Sequence, residues 1–253
     1  MYKRSIITYG AKSDGELCTN AIQSAIDDCF LQGGGVVEIP EGVYVSGGIR
    51  LRSNVTLHLL KNAVLKGTRN PEDYYGWLQD KIEPIDMTEV TDVLHNRAER
   101  SDNPERDWQF MRLPGSRWHN GLIRAIDAEN IAIIGEEGAV IDGNDCFDEM
   151  GEEQYRGPHA IAFFRCKNIR LENYTVQRSG NWAHNLFRCS QIAMDHVQVL
   201  AGHDGIHMTV CENITIRNSS FYTGDDCING FANLDVLVKN CEINSACSAF
   251  RRY

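Results

Sequence analysis

The fold is decided by three stretches of sequence that repeat one pattern: CKNIRLENYTVQRSGN (166–181), CSQIAMDHVQVLAGHD (189–204) and CENITIRNSSFYTGDD (211–226). A looser copy, ANLDVLVKNCEINSACS (232–248), follows them. The anchor residues of the four copies are 23, 22 and 22 residues apart, at Ile169, Ile192, Ile214 and Val236. A fixed interval of about 20 to 50 residues indicates an architecture of stacked units.

Each copy begins with alternating apolar and polar residues, as at Ile169 and Leu171, which is typical of a half-buried strand. A second short strand follows in each copy, and no helical stretch intervenes. These features predict an all-β fold, a single-stranded, right-handed parallel β-helix. Stacked coils would form one buried column of thiols and one column of amides: Cys166, Cys189 and Cys211, and Asn168, Gln191 and Asn213.

The N-terminal part predicts further coils of the same solenoid within a single domain, residues 1–253. Short β-rich runs occur in GGGVVEIPEGVYVSGGIRL (33–51), SNVTLHLLKNAVLKGT (53–68) and ENIAIIGEEGAVIDGN (129–144). Before them, Thr19 to Phe30 has helical periodicity after a capping threonine, which predicts a short helix over the open end of the solenoid. Residues from about 70 to 120 break the pattern and predict a long insertion or lid.

Charge and composition exclude several classes of partner. The formal net charge of −10 disfavours nucleic acid and anionic membranes. The N-terminus lacks the apolar stretch of a secretory signal, and no apolar run is long enough to cross a membrane, so we expect a cytoplasmic protein, or a secreted one if its signal has been removed. The nine cysteines include no CxxC pair, so we expect reduced thiols rather than disulfides. The sequence does not indicate an oligomeric state.

One turn of the predicted coils gathers acidic residues. Twelve positions after each anchor stand Asn181, Asp204, Asp226 and Ser248, and eleven positions after it stand Gly180, His203, Asp225 and Cys247. Three carboxylates thus converge from neighbouring coils. Like charges at such range favour protonation of one member, which then serves as a general acid while the others activate water. Glycoside hydrolysis requires such a combination of one carboxyl group that acts as an acid and another that acts as a base. A calcium site is the competing use of such a cluster.

The acidic stretches resemble those of a known family. GHDGI (202–206) and TGDDCI (223–228) are similar to the NTDG and GDDC motifs of glycoside hydrolase family 28, the polygalacturonase-like enzymes. The opening YGAKSDG (9–15), followed by a helix and GGGVVEIPEGVY, resembles the start of the same superfamily. The resemblance implies hydrolysis with inversion, Asp225 as the general acid, Asp204 and Asp226 as the residues that activate water, and no metal or other cofactor. Inversion leads us to expect about 6.5–9.5 Å between acid and base carboxyls.

The sequence also departs from the family's pattern. Cys247 stands where the family has the histidine of a GHG motif, and Gly202 stands where it has the asparagine of NTDG. The later RIK motif, which grips the substrate carboxylate, has no counterpart before Tyr253, so we expect C-terminal coils to be missing. Five residues on the same face are candidates for substrate binding, through hydrogen bonds or, for the arginine, an ion pair: His203, His184, His207, Asn181 and Arg251.

The function predicted from sequence is a glycoside hydrolase that cleaves pectin-like oligosaccharides or polysaccharides. One alternative is a polysaccharide lyase on the same fold, which would cleave uronic-acid polymers by β-elimination. Another is an inactive or incomplete β-helix that only binds glycans.

Overall fold

The computed structural model describes residues 2–74 and 117–252, and the strands of these residues form three parallel sheets. The chain runs from the first sheet to the second and third, and then begins the next coil, so neighbours within a sheet come from successive coils. This architecture is a right-handed parallel β-helix, and the prediction from sequence is confirmed.

The first sheet contains, in spatial order, β1 (Lys3–Ser5), β2 (Gly35–Ile39), β5 (Val55–Leu59), β8 (Glu129–Gly135), β11 (Lys167–Glu172), β14 (Ser190–Asp195), β17 (Glu212–Arg217) and β20 (Leu234–Lys239). The second contains β3 (Gly42–Ser46), β6 (Ala63–Gly67), β9 (Val140–Asp142), β12 (Thr175–Gln177), β15 (Gln198–Ala201), β18 (Ser220–Thr223) and β21 (Glu242–Ser245). The third contains β4 (Ile49–Arg50), β7 (Gly121–Ile126), β10 (His159–Phe164), β13 (His184–Phe187), β16 (Ile206–Thr209), β19 (Ile228–Phe231) and β22 (Phe250–Arg252).

The core is built from columns of identical positions, because each coil places its apolar residues at the same register. Ile169 pairs with Ile192, which pairs with Ile214, and all three are buried. The predicted thiol column also lies inside the solenoid, since Cys166, Cys189 and Cys211 are each about 1% exposed. Burial of one isoleucine side chain stabilises a fold by roughly 1.5–3 kcal/mol, so these columns dominate the stability of the coils.

A column of amide side chains lies where the strands of the first sheet begin. Asn54, Asn130 and Asn168 all have positive φ angles, between 56° and 62°, a conformation that asparagine tolerates better than most residues. Asn168 Nδ2 donates to Asn130 Oδ1 at 2.7 Å, and Asn130 Nδ2 donates to Asn54 Oδ1 at 2.8 Å. The amide column extends further toward the N-terminus than the sequence repeats indicated.

Helix α1 (Thr19–Leu31) packs against the first strands of the solenoid, as predicted. Its buried residues, Ile22, Ala25, Ile26 and Cys29, are at helical spacing. The predicted capping role of Thr19 is wrong. Cys18 is the N-cap, and the Thr19 hydroxyl instead accepts a hydrogen bond from the backbone N–H of Gly47 at 2.8 Å.

The predicted insertion at about 70–120 lies mostly outside the described residues. Its described ends contain two short 3-10 turns, Pro71–Asp73 and Arg117–His119. At the other end of the solenoid, the inward positions of β20 and β22 are open to solvent, with Val236 43% and Phe250 59% exposed. Within the described ranges, no helix has the length and apolar character needed to cross a membrane.

Candidate active site

Two turns that connect the second sheet to the third sheet carry the predicted acidic residues. Asp204 lies between β15 and β16, and Asp225 and Asp226 lie between β18 and β19. The register of β16 on β19 places Asp204 opposite Asp226 and His203 opposite Asp225. The structure thus brings the three aspartates together on neighbouring coils.

Direct hydrogen bonds tie the three aspartates into one pocket. Asn229, on β19, donates from Nδ2 to Asp204 Oδ2 and to Asp226 Oδ2, both at 2.9 Å. The backbone N–H of Asp226 donates to Asp204 Oδ1 at 3.2 Å and to Asp225 Oδ1 at 3.0 Å. Hydrogen bonds to ionised acceptors are among the stronger ones in proteins, so these donors offset part of the repulsion between the carboxylates.

The aspartates differ in their access to solvent. Asp204 and Asp226 are 2% and 1% exposed, whereas Asp225 is only half-buried. Among residues 2–74 and 117–252, no donor bonds to the buried Oδ1 of Asp226. A buried carboxylate oxygen without a donor from the protein can still accept a hydrogen bond from a water molecule. This arrangement suits Asp225 to meet a leaving group and Asp226 to accept a proton from water.

The candidate His207 lies directly against Asp204. Its Nδ1 is 3.1 Å from Asp204 Oδ2, and because a carboxylate accepts, the ring donates through Nδ1. The ring of Trp182 stacks on the imidazole of His207, with centroids 3.7 Å apart and planes within 5°. His207 and Trp182 therefore fix the orientation of the Asp204 carboxylate.

The candidate His203 forms the edge of the pocket beside Asp225. It is half-buried, and the ring of Tyr155 lies 6.2 Å away between centroids. Burial, assisted by the positive charge of Arg156, lowers the pKa of His203. The imidazole is consequently neutral at neutral pH and offers one hydrogen-bond donor and one acceptor to a ligand.

The register of the preceding coil differs from the sequence prediction. His184 pairs with Ile206, so Trp182, not Asn181, lies opposite Asp204. Paired residues are 23 positions apart in the sequence for β12 and β15, but 22 positions apart for β13 and β16. The earlier coil therefore has one more residue between its second and third strands, and this residue shifts every later position by one.

Asn181 therefore occupies the position opposite His203, and its amide is used within the protein. It is 2% exposed, and its Oδ1 accepts from the backbone N–H of Trp182 at 3.0 Å and from Arg156 Nη1 at 3.4 Å. The predicted role of Asn181 as a direct substrate ligand is corrected to that of a buried support beneath the pocket.

The prediction that His184 contacts substrate is also corrected. His184 is fully buried and faces the interior of the solenoid, where its Nδ1 is 2.9 Å from Gly205 O and its Nε2 is 3.0 Å from Tyr174 Oη. Burial lowers the pKa of His184 to about 4, so the ring is neutral. The alternation along β13 places this residue inward, in the column of Ile206.

Arg251 lies on the opposite side of the pocket from Trp182. Its Nη1 is 3.5 Å from Asp226 Oδ2, and 44% of the side chain is exposed. It follows His207 and Asn229 in one outward row of the third sheet. This position allows the guanidinium to contact both the pocket and a bound anion.

The residues of the pocket are a poor match for calcium. Asp225, Asp226 and Cys247 have ligand atoms within 4.8 Å of one another, so the carboxylates of Asp225 and Asp226 approach more closely than the distance of about 6.5–9.5 Å expected between acid and base. Calcium prefers oxygen ligands, and a thiolate is a soft ligand that suits other metals. The guanidinium of Arg251 already supplies positive charge beside Asp226. The donor set therefore favours acid–base chemistry over calcium binding.

Two residues of the site were missed by sequence reasoning: Asn229 and Glu152. Asn229 was detectable, because it is the first outward position after the strand residue Ile228 in the same coil as the aspartate pair. Glu152 had no such signal, since it lies in the loop between β9 and β10, outside the repeat.

Glu152 adds a fourth carboxyl group next to the pocket. Its Oε2 is 3.6 Å from Arg156 Nε, which makes a shorter contact of 2.7 Å with Glu153. The Glu152 side chain is 24% exposed. Burial raises the pKa of Glu152 to about 7, and the negative charges of Glu153 and Asp204 act in the same direction against the opposing effect of Arg156.

Glu152→Gln is expected to stabilise the protein relative to wild type as the pH rises. The folded state raises the pKa of this carboxyl, so its contribution to stability is complete below 4.5 and is lost as the pH rises through about 7. The glutamine does not titrate. We expect a gain in the free energy of unfolding on the order of 2 kcal/mol between about pH 4.5 and pH 8, measured by denaturant unfolding.

Glu153→Gln is the matched control, with a change of opposite sign. A hydrogen bond from Arg156 lowers the pKa of Glu153, so its contribution is present above 4.5 and is lost as the pH falls. This variant should therefore lose stability relative to wild type as the pH rises. Parallel curves for wild type and Glu152→Gln would contradict the assignment.

The fold and the clustered carboxylates define a β-helix protein with an acid–base site of the kind used in glycoside hydrolysis. Comparison with known proteins identifies the family. The sequence pattern of glycosyl hydrolases family 28 matches residues 112–245, more than half of the chain. The chain belongs to this family, and the resemblance inferred from the two aspartate motifs is confirmed.

The relatives of known activity are longer than this chain. It is 26% identical to the exo-poly-alpha-D-galacturonosidase of Dickeya chrysanthemi, over 89% of this chain and 41% of the relative. It is 23% identical to polygalacturonase ADPG1 of Arabidopsis thaliana, over 94% and 50%. The structure resembles a hyperthermoactive exopolygalacturonase from Thermotoga maritima, with a TM-score of 0.72 and 22% identity, over 98% and 61%. At that identity the likeness shows the fold alone.

Proposed function

We propose that the protein hydrolyses glycosidic bonds in pectin-like chains of galacturonic acid, with inversion at the anomeric carbon. The observation that carries the proposal is the pocket in which Asn229 and the backbone of Asp226 join Asp204, Asp225 and Asp226. Membership of glycosyl hydrolases family 28 supports the same reaction class.

The pocket contains one half-buried carboxyl group, which acts as the acid, and two buried carboxylates. Asp225 is the most accessible of the three, so it donates a proton to the oxygen of the departing sugar. Asp204 and Asp226 orient a water molecule and accept its proton, and the unbonded Oδ1 of Asp226 is the atom that receives it. A single displacement of this kind inverts the configuration of the sugar.

The substrate class follows from charge as well as from the family. Both curated relatives named above are described as acting on galacturonic acid polymers. A carboxylated sugar needs a cation in a pocket that is otherwise acidic. Arg251, exposed at the edge of the pocket, supplies that charge to the substrate carboxylate.

Incubation with a panel of pectic and neutral oligosaccharides tests the proposal. We expect products that gain one water per bond cleaved, identified by mass, from polygalacturonate and not from neutral glycans. A lyase would instead release an unsaturated product that absorbs ultraviolet light. Such a product, or cleavage of neutral glycans alone, would count against the proposal.

A further inference from the structure

Asn229 donates to both buried carboxylates of the pocket from a single nitrogen atom. Its Nδ2 lies 2.9 Å from Asp204 Oδ2 and 2.9 Å from Asp226 Oδ2. An ionised carboxylate accepts hydrogen bonds and cannot donate them, so the amide nitrogen must face the two aspartates. This requirement fixes the orientation of the amide group and leaves the carbonyl oxygen Oδ1 for another partner.

The Oδ1 atom of Asn229 is an unused acceptor inside the pocket. It is buried, and no donor from the described part of the chain bonds to it. The same holds for Asp226 Oδ1, and the two side chains are joined by the hydrogen bond from Asn229 Nδ2 to Asp226 Oδ2. Two acceptors on adjoining side chains match the two hydrogen atoms that one water molecule donates.

The other oxygens of the buried pair already have donors. Asp204 Oδ1 accepts from the backbone N–H of Asp226 at 3.2 Å, and Asp204 Oδ2 accepts from Asn229 and His207. Asp226 Oδ2 accepts from Asn229, and Arg251 Nη1 lies 3.5 Å from it. A water molecule that enters the pocket therefore finds its acceptors at the Oδ1 atoms of Asp226 and Asn229.

The position of Asn229 is set by a strand of the third sheet. Asn229 lies on β19 (Ile228–Phe231), where it pairs with His207 of β16, and it is 5% exposed. The next residue, Gly230, allows the two strands to approach closely, since a Cβ there would lie 1.9 Å from the carbonyl oxygen of Met208. A group carried by a strand is held more precisely than one carried by a loop.

We propose that Asn229 binds the attacking water through Oδ1 while its Nδ2 holds Asp204 and Asp226 in place. This inference rests on the proposed hydrolase function and adds one residue to the site. The water oxygen bonds to the anomeric carbon and releases one proton to Asp226 Oδ1. Its other hydrogen stays on the new hydroxyl group and bonds to Asn229 Oδ1, while the departing sugar oxygen keeps the electron pair of the broken bond and takes the proton of Asp225.

Asn229→Ser is expected to lower kcat by about 10²-fold with little change in KM, because the amide orients water and does not contact sugar. The serine hydroxyl can still donate to one carboxylate, but its oxygen is set back from the place of Oδ1. Asn229→Asp, which has nearly the shape of the amide, should lose at least as much, since it replaces the shared donor with another carboxyl. Steady-state rates on polygalacturonate measure both variants, and an unchanged kcat or a loss in KM alone would overturn the proposal.

Asn185→Ser is the matched control. Asn185 precedes His207 and Asn229 in the same outward row of the third sheet, is 4% exposed, and has its Nδ2 3.0 Å from His159 Nε2. The variant makes the same change at a buried amide that does not bond to the aspartates. Thermal unfolding should show a comparable loss of stability while kcat is kept. An equal fall of kcat in both variants would show a general effect of destabilisation and overturn the role of Asn229.

An activated substrate separates the water side of the pocket from the acid side. The dinitrophenyl glycoside of the best substrate in the panel has a leaving group that needs no proton. Asp225→Asn should regain most of its rate on this substrate, whereas Asn229→Ser should remain impaired because water must still attack. Equal recovery of both variants would overturn the proposal but leave the hydrolase function intact. Failure of the wild-type protein to hydrolyse any member of the panel would instead count against the proposed function itself.

Discussion

Asp225→Asn is expected to lower kcat by about 10²- to 10⁴-fold, the usual contribution of a general acid or base. An amide of nearly the same shape replaces the carboxyl but cannot donate a proton of comparable acidity to the leaving oxygen. The side-chain oxygen that accepts the Asp226 N–H at 3.0 Å is retained, and the residue is half-buried, so unfolding should change little. Steady-state rates on polygalacturonate and a thermal unfolding curve measure the two effects.

Asp235→Asn is the control for this variant, because it makes the same chemical change at an exposed position near the start of β20. Asp235 has a φ angle of 53°, which asparagine adopts readily. This variant should keep wild-type activity. Substantial turnover by Asp225→Asn would refute the role of Asp225 as the acid.

Asp204→Asn is expected to cause a comparable loss of kcat and also to destabilise the fold. The Asp204 carboxylate accepts from Asn229, from the backbone of Asp226 and from His207. The substituting amide has one oxygen and one NH₂ group, so at least one of these donors loses its acceptor in a buried site. An unsatisfied buried donor costs about 1–3 kcal/mol.

The combination of effects separates Asp204 from Asp225. Denaturant unfolding should show a clear loss for Asp204→Asn and almost none for Asp225→Asn, while both variants lose activity. Full activity in Asp204→Asn, or equal stability of the two variants, would contradict the assignment of Asp204 as a buried base and of Asp225 as the more accessible acid.

The repeat interval made the fold and the aspartate pocket predictable from sequence. In a parallel solenoid, residues at equal intervals share a column, so the counts from Ile192 and Ile214 were sufficient to place Asp204 on Asp226. The same count failed at Asn181, because a coil with one extra residue between its second and third strands shifts the register.

The remaining errors have different causes. His184 was assigned to the surface because, in a strand of four residues, the sequence does not reveal which of the two alternating sets of side chains faces inward. Glu152 and the loop between β9 and β10 escaped prediction because a loop that packs on a neighbouring coil does not repeat along the sequence. Its contacts with Asn181 and His203 join residues distant in sequence and appear only in three dimensions.

The stereochemistry of the first product is the most direct test of the central claim, that Asp204, Asp225 and Asp226 act as one inverting acid–base site. Proton NMR spectra recorded in the first minutes of hydrolysis, before mutarotation, distinguish the two anomers. We predict that the new reducing end has the configuration opposite to that of the bond cleaved. A product with the configuration retained would contradict the account, since retention requires a carboxylate that attacks the sugar itself.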